Sequence, residues 1–272
     1  MNVIQLQFSD IALAATLVLA NAIASMVLQL GVHRQVLWAA ARMVVQLLLV
    51  GYVLRLVFQS QSPAFTVLVA AVMMAAAARE VAVRPEWRLR KGGNYGIAAA
   101  TVSVSSVATV VLALLTAIRP EPWHDPRYAI PLLGIVLGSV LNSASLGLDS
   151  FFDGVAVRRT AIEAQLALGE TIREALRELV RTSIRRGIIP IINQMSAAGI
   201  ITLPGIMTGQ LLAGMDPIES AKYQILLLLL LTGAAALASI GSVLLAARMI
   251  TDERQRLRMD RLIHAQAARR KE

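Results

Sequence analysis

The sequence predicts an all-α polytopic membrane protein with seven transmembrane helices, its N-terminus outside and its C-terminus inside. Of the 272 residues, 57% are hydrophobic and only 16% are charged, which leaves too little polar surface for a water-soluble fold. The apolar residues form long runs of about 20 residues, enough to cross a bilayer of roughly 30 Å. These observations exclude soluble enzymes and secreted scaffolds, and the absence of cysteine excludes disulfides and thiolate sites.

The seven predicted spans cover residues 11–32, 35–57, 64–83, 95–118, 128–148, 187–215 and 223–247. Backbone groups in lipid must be hydrogen-bonded within the protein, which helices and closed barrels both achieve, but these runs do not alternate in polarity as barrel strands do. Each span is therefore predicted to be a helix. The sixth run contains Pro190 and Pro204, which lack backbone donors, so we expect a kinked or interrupted helix there.

The positive charges are distributed unevenly between the two ends of these spans. One side receives Arg34, five basic residues within 79–91, seven within 158–186 and eight within 248–271, which makes 21 of the 26. Because cytoplasmic flanks retain Lys and Arg, this side is predicted to be cytoplasmic, with residues 248–272 as a basic cytoplasmic tail. The net charge of +9 therefore marks one membrane face and does not indicate nucleic-acid binding.

The one long soluble segment, residues 149–186, is predicted to be a helical cytoplasmic loop. Its apolar residues recur close to the helical period, and Glu170, Glu174 and Glu178 each stand three residues before an arginine. Two interpretations fit this pattern: an amphipathic helix solvated on the membrane surface, or a helix presented to a cytoplasmic partner. Gly169 has no Cβ and would allow a bend between two helical pieces.

Polar residues in the fifth and sixth spans are candidates for a substrate pathway, because in lipid they are costly unless they face a cavity or another helix. These candidates are Asn142, Ser143, Asn193, Gln194, Met195, Met207 and Gln210. A second set, whose expected roles are helix kinking for the prolines and close helix packing for the glycines, is Gly134, Gly138, Pro190, Pro204, Gly205 and Gly209.

Metal ligands are few in this sequence. His33, His124 and His264 fall in loops or the tail, and no His, Asp or Glu lies deep within a span. Met195 and Met207 are softer candidate ligands, and amide oxygens can hold a partly hydrated cation weakly. The residues alone therefore leave the existence of a metal site open.

Five runs of residues carry a resemblance to a known family. They are PLLGIVLGSVLNSASLGLDSF (131–151), EAQLALGETIREAL (163–176), RRGIIPIINQ (185–194), GIITLPGIMTGQLLAGMDP (199–217) and KYQI (222–225). Together they resemble the FetB (UPF0014-type) family of iron-export ABC transporter permeases. The second run also resembles the EAA loop of ABC importer permeases, in which a glycine break separates two helices that dock into the ATPase. In the importer pattern a proline follows about thirteen residues after the glycine, whereas in this chain the next proline after Gly169 is Pro190. The resemblance implies an ATPase-coupling surface formed by Glu163, Ala164, Gly169, Glu170 and Arg173.

The resemblance further implies a multi-pass permease of the inner membrane that exports a metal ion, iron, and works as a homodimer with a cytoplasmic FetA-like ABC ATPase. No stretch reads G-x-x-x-x-G-K-[ST], so this chain is not expected to be an enzyme. ATP and Mg²⁺ would be bound by the partner, and no cofactor is expected in this chain. Two alternatives stay open: an ABC permease for a chelated or organic substrate, and an autonomous channel or secondary carrier for a small solute.

Overall fold

A computed structural model of the chain describes residues 7–60, 62–121, 125–252 and 254–264. Its helices are α1 (Phe8–Val27), α2 (His33–Ser60), α3 (Pro63–Val83), α4 (Gly93–Leu112), α5 (Pro126–Val157), α6 (Arg159–Ala167), α7 (Ile172–Ala197), α8 (Gly205–Leu212) and α9 (Pro217–Met249). A π-helical turn, Ala113–Ile118, continues α4, and two short strands are β1 (Trp87–Leu89) and β2 (Leu262–His264). The predicted helical, polytopic class is confirmed.

The chain divides into two compact units, Met1–Ser62 with Leu212–Gly214, and Pro63–Leu211 with Met215–Glu272. In the first unit, α1 and α2 contact each other across a short turn in which Gly31 has a φ of 72°. Most side chains of these two helices are apolar and exposed. This pattern is typical of helices that face lipid, where an apolar surface carries no cost.

The second unit is a helical bundle in which α5 and α9 make the most extensive contact. α7 packs against both of them, α4 also contacts both, and α3 packs against α4 and α5. The buried face of α9 consists largely of small side chains, among them Ala234, Ala235, Ala238, Ser239, Ser242 and Ala246. Small residues let helix backbones approach closely, which stabilises packing in lipid through van der Waals contact.

Among the described residues, six helices are long and apolar enough to cross a membrane: Ser9–Val27, His33–Gln59, Pro63–Val83, Gly93–Ile118, Pro126–Val157 and Pro217–Met249. They correspond to six of the seven predicted spans. The remaining predicted span, residues 187–215, is not a single helix, because its first part is the end of α7 and its last part contains α8.

The interruption expected in this segment is present, but not at the first of the two prolines. α7 passes through Pro190 and ends at Ala197, and α8 begins immediately after Pro204. Between them Gly199 has a φ of 86°, a left-handed conformation that favours glycine. The break therefore coincides with Gly199 and Pro204. Pro190 removes one backbone donor from α7, but the helix continues before and after it.

The predicted loop of residues 149–186 is largely a continuation of the membrane helices. α5 extends to Val157, and α7 starts at Ile172 and runs without a break into the sixth predicted span. The predicted apolar face of this segment is buried at Ile162, Leu176 and Leu179. That face packs against the core of this chain and is therefore not free to lie on a membrane surface.

The chain after α9 also departs from the sequence prediction, which treated it only as a basic tail. β2 pairs antiparallel with β1, so that Leu262 lies opposite Leu89 and His264 opposite Trp87. The buried Asn94 side chain holds β1, since it accepts a hydrogen bond from the Leu89 N–H at 3.0 Å and donates to the carbonyl oxygen of Ala82 at 3.1 Å. The tail is therefore folded against the bundle up to His264.

Candidate substrate cavity and coupling turn

A cavity of about 180 Å³ lies between α5, α7 and α9. It is lined by Ile135, Ser139, Asn142, Ser143, Pro190, Ile191, Gln194 and Leu231. The Ser139 hydroxyl donates to the Leu231 carbonyl at 3.4 Å and so links α5 to α9 beside the cavity. The amides of Asn142 and Gln194 can each donate and accept, which suits a hydrated ion or a small polar solute.

Close backbone contact holds the three helices together one helical turn from this cavity. A Cβ placed on Gly187 would lie 2.2 Å from Ser239 Oγ and 2.6 Å from the backbone oxygen of Ser143. The Ser239 hydroxyl in turn donates to the Ile184 carbonyl of α7 at 3.0 Å. α7 is therefore held against α5 and α9 at Gly187, and the helices separate enough to leave a cavity at the level of Pro190.

Within the described chain, the closest helix approaches occur at glycines other than the four that the sequence suggested. A Cβ on Gly138, Gly205 or Gly209 would meet no atom of the described chain within 4 Å, and one on Gly134 would make only an ordinary contact at 3.4 Å. Close approach occurs instead at Gly147, Gly154 and Gly187, where the nearest atoms would lie 3.1, 2.3 and 2.2 Å away. A spacing of four residues identifies a helix face but not the neighbour that this face meets.

Three of the predicted pathway residues, Asn142, Ser143 and Gln194, line the cavity together. Asn193 does not line it, because a step of one residue turns the side chain by about 100° around the helix. Asn142, Asn193 and Gln194 are all exposed in the single chain, whereas Ser143 is buried. The amides thus lie on the outer side of α5 and α7, and the hydroxyl lies inside the packing.

The other three predicted pathway residues lie away from this cavity. The Sδ atom of Met195 accepts a hydrogen bond from Thr232 Oγ1 at 3.1 Å, and its side chain packs against the core. Met207 and Gln210 belong to α8 and are half-buried. The Oε1 atom of Gln210 is buried and has no hydrogen-bond partner within the described part of the chain.

A charged residue that the sequence did not single out lies beside the cavity. Arg84 Nη1 donates to Asn142 Oδ1 at 3.3 Å, across 58 residues of sequence, and its Nε lies 4.0 Å from Glu80 Oε2. Asp149 Oδ1 accepts from the Glu86 N–H at 2.9 Å. The segment between α3 and β1 is thus joined to α5 at two points, which no local sequence pattern could have revealed.

Metal-ligating side chains are sparse in the structure as well. Among the described residues, no three or more His, Asp or Glu side chains lie close enough together to hold a metal ion. His33 lies at the start of α2, and His264 Nε2 lies 3.6 Å from Glu86 Oε1, while His124 is outside the described residues. The cavity itself offers amide and hydroxyl oxygens, a donor set suited to weak and reversible binding of a hydrated ion.

The other end of α7 carries an exposed turn, residues 168–171, which we name the α6–α7 turn. Gly169 has a φ of 96° there, so the expected bend between two helical pieces is present. Thr171 caps α7, since its Oγ1 accepts from the Glu174 N–H at 3.3 Å while Glu174 Oε2 accepts from the Thr171 N–H at 2.9 Å. The Thr171 hydroxyl also donates to Glu174 Oε2 at 2.7 Å, and this bond, followed by the one from the Thr171 N–H, lowers the pKa of Glu174.

The surface around the α6–α7 turn combines charges with one apolar side chain. Leu168 is 86% exposed at its tip. The residues that the resemblance assigned to ATPase coupling, Glu163, Ala164, Gly169, Glu170 and Arg173, are all exposed around it. Arg159 Nε pairs with Glu163 Oε1 at 2.8 Å, a spacing of four residues. An apolar tip with a charged rim and a buried base is suited to docking.

Comparison with known proteins places the chain among membrane proteins. The UPF0014 membrane protein slr1647 of Synechocystis sp. is 36% identical, over 82% of this chain and 85% of that protein. The UPF0014 membrane protein STAR2 of Oryza sativa subsp. japonica is 34% identical, over 85% of this chain and 80% of that protein. The "Probable iron export permease protein FetB" of Escherichia coli is 30% identical, over 94% of this chain and 97% of that protein.

No solved structure matches the chain. The family described as "Uncharacterised protein family (UPF0014)" matches residues 8–251, nearly the whole length. The relatives are similar to this chain over most of both sequences, and the structure contains several helices that can span a membrane. The chain therefore belongs to the UPF0014 family and is a multi-pass membrane protein.

Proposed function

We propose that this protein is the permease subunit of an ABC transporter that exports a metal ion, iron, from the cytoplasm. The name of the E. coli relative, a probable iron export permease, supports the substrate and the direction. The observation that carries the mechanism is the continuity of α7, which begins at the α6–α7 turn and reaches the cavity at Gln194. From Ile172 to Gln194 this is about 33 Å of unbroken helix. A partner that moves the turn would thereby move the cavity lining.

The energy source in this proposal is a separate, FetA-like ATPase that binds ATP and Mg²⁺, so this chain acts without enzymatic activity or a cofactor of its own. The ATPase would dock on the α6–α7 turn through Leu168 and the five coupling residues named above. Because Ile162 and Leu176 are buried on the inner side of the same helices, force applied at the turn would pass into the bundle and would not bend a loose loop.

The proposed topology has seven crossings, with the N-terminus outside and the C-terminus in the cytoplasm of the inner membrane. The sixth crossing would be the end of α7, the break at residues 198–204 and α8. The uneven distribution of Lys and Arg supports this orientation. Broken helices at such positions place backbone groups toward a substrate, so the break would be a second part of the pathway.

A homodimer would explain why polar amides lie on the outer side of α5 and α7. Asn142, Asn193 and Gln194 are exposed at membrane depth in the single chain, and amides facing lipid are costly. A second copy facing this side would cover them and enlarge the cavity. Because the chain has no cysteine, Asn193→Cys adds a single thiol, and oxidation in membranes should yield a cross-linked dimer. Leu237→Cys, exposed on α9, is the matched control, and equal cross-linking of both variants would contradict this interface.

Transport into inverted vesicles that contain both subunits tests the function. Gln194→Met removes the cavity amide at nearly constant volume, and we expect ATP-dependent iron transport to fall at least about tenfold while membrane insertion and ATPase binding persist. Gln46→Met on α2, which does not line the cavity, is the matched control. Iron transport that is unchanged in Gln194→Met would refute the role of this cavity, and transport without ATP or a partner would favour a channel or secondary carrier.

One observation favours a second substrate class. The guanidinium of Arg84 beside Asn142 would repel a bare cation but attract the carboxylates of an organic chelate. A chelated or organic anion is therefore the alternative substrate. Vesicle transport of free iron and of iron citrate, each with the unmodified protein and with Arg84→Gln, separates the two: loss confined to the citrate complex would favour the chelate.

A further inference from the structure

The end of α9 and the segment that follows it border an open surface cavity of about 580 Å³, which we name the arginine cavity. Its lining residues are Arg248, Thr251, Asp252, Arg254, Arg256 and Arg261. Among the described lining residues, four are arginines and one, Asp252, carries a carboxylate. The proposed transport function uses neither this cavity nor its residues.

The Asp252 carboxylate is engaged in hydrogen bonds within its own loop. Asp252 Oδ1 accepts from the backbone N–H groups of Arg254 and Arg256, each at 3.0 Å, and Asp252 Oδ2 accepts from Arg256 Nε at 3.0 Å. Arg261 is fixed in another way, since its Nη1 donates to the Met249 carbonyl at 2.7 Å. The guanidinium groups of Arg256 and Arg261 are thus held in place before any ligand arrives, which reduces the entropy cost of binding to these two groups.

Two of the four guanidinium groups are available to a ligand. Arg248 and Arg254 are exposed, and among the residues that the structure describes neither side chain has a hydrogen-bond acceptor or a carboxylate partner. Arginine presents a planar fork of donors that binds phosphate oxygens in pairs. The charge and donor geometry of the cavity therefore fit a phosphate group.

A second cavity of about 400 Å³ adjoins the first and shares Arg248 and Thr251 with it. It runs along α7 and α9 as a groove with an apolar floor of Leu176, Val180, Leu244 and Ala247. Arg173, Arg177 and Arg181 also line this groove. The groove extends from the arginine cavity toward the uncharged part of α9. A groove that leads away from a phosphate-binding site and has an apolar floor between arginine side chains fits an acyl chain, which free phosphate does not have.

We propose that the arginine cavity and this groove bind one anionic phospholipid from the adjacent leaflet, with its phosphate held among the arginines and an acyl chain on the apolar floor. The site is connected to the rest of the molecule. Gln255 Oε1, in the same loop, accepts a hydrogen bond from the Ile172 N–H at 2.9 Å. A bound lipid would therefore stabilise the loop and, through Gln255, the first turn of α7.

The test uses the purified full-length chain in a mild detergent and does not depend on transport. Binding of phosphatidylglycerol, phosphatidylcholine and inorganic phosphate is measured by native mass spectrometry and by the shift in melting temperature. We expect phosphatidylglycerol to bind and to raise the melting temperature, and Arg248→Gln and Arg254→Gln each to weaken this binding about tenfold. Arg127→Gln, at the opposite end of the bundle, is the matched charge control and should bind as the unmodified protein does. Leu244→Trp fills the groove and should weaken phosphatidylglycerol binding as well.

Three outcomes would overturn the proposal. Equal binding of phosphatidylcholine would mean that the arginines do not select the ligand. A stabilisation by inorganic phosphate as large as that by phosphatidylglycerol, unaffected by Leu244→Trp, would identify free phosphate as the ligand. If both arginine variants keep their lipid affinity but lose a co-purifying acidic protein, the surface is a protein-docking site.

Discussion

Replacing Gly187 by alanine should weaken the contact at which α5, α7 and α9 meet. The new Cβ would lie 2.2 Å from Ser239 Oγ, 2.6 Å from the Ser143 backbone oxygen and 2.9 Å from Ser239 Cβ. Rotation of the Ser239 hydroxyl can relieve the first contact only by giving up its hydrogen bond to the Ile184 carbonyl. The second contact is with backbone and can be relieved only by moving one helix away from the other.

Three effects determine how much this substitution changes the free energy of unfolding. Overpacking of this kind costs about 1–3 kcal/mol, and loss of the hydrogen bond costs about 1 kcal/mol more. Alanine offsets about 1 kcal/mol of this because it favours the helix over glycine. The net loss in the free energy of unfolding is therefore about 1–3 kcal/mol. Helix separation at this point should also widen the nearby cavity and alter transport.

Thermal unfolding of the purified protein measures this effect. Gly233→Ala is the matched control, because the same change on α9 meets no atom within 4 Å and should leave the melting temperature unchanged or raise it. The double variant Gly187→Ala with Ser239→Ala should recover part of the loss, since it removes the hydroxyl but not the contact with the Ser143 backbone. If Gly187→Ala unfolds at the temperature of the control, the helices do not approach as described and the reasoning is refuted.

Three further predictions concern the α6–α7 turn and the tail. Thr171→Ala removes the cap of α7 and should cost about 1 kcal/mol, seen as faster hydrogen exchange in the first turn of α7 with α9 unchanged. Asn94→Ala leaves the Leu89 N–H without its acceptor at a cost of about 1–3 kcal/mol, so trypsin should cleave the tail faster; an unaltered rate would contradict the role of Asn94. The Arg258 guanidinium lowers the pKa of Asp260 from 3.8 to about 2, so this pair stabilises the tail fully above pH 3.8 and loses its effect as pH falls toward 2. Cleavage of the tail by pepsin should rise across that window, and less so in Asp260→Asn, which lacks the titrating carboxyl.

The single helices were predictable because the cost of placing a residue in lipid depends mainly on that residue. The uncharged run 223–247 lies within α9, which starts after an Asp216 cap that accepts from the N–H groups of Ile218 and Glu219. The bend at Gly169 was predictable for a similar reason, because glycine adopts a positive φ at little cost. Such local preferences act whatever the rest of the chain does.

The cavity was predictable only in part. Polarity within the fifth and sixth spans led to Asn142 and Gln194, but it led equally to Asn193, which faces away from the cavity. The polarity of a side chain indicates that it needs a hydrogen-bond partner but does not identify that partner. Arg84 lacked any such signal, since an arginine near the end of a span is ordinary and its contact with Asn142 joins distant parts of the sequence.

Composition, hydropathy and charge therefore predicted a helical membrane protein and the amphipathic segment between its fifth and sixth spans, because each depends on residues close together in the chain. The folded chain added the pairing of β1 with β2, the contact of Gly187 with Ser239 and the arginine cavity. Each of these depends on shape and charge matching between segments far apart in sequence, and many pairings satisfy the same local pattern. Only packing of the whole bundle selects one of them.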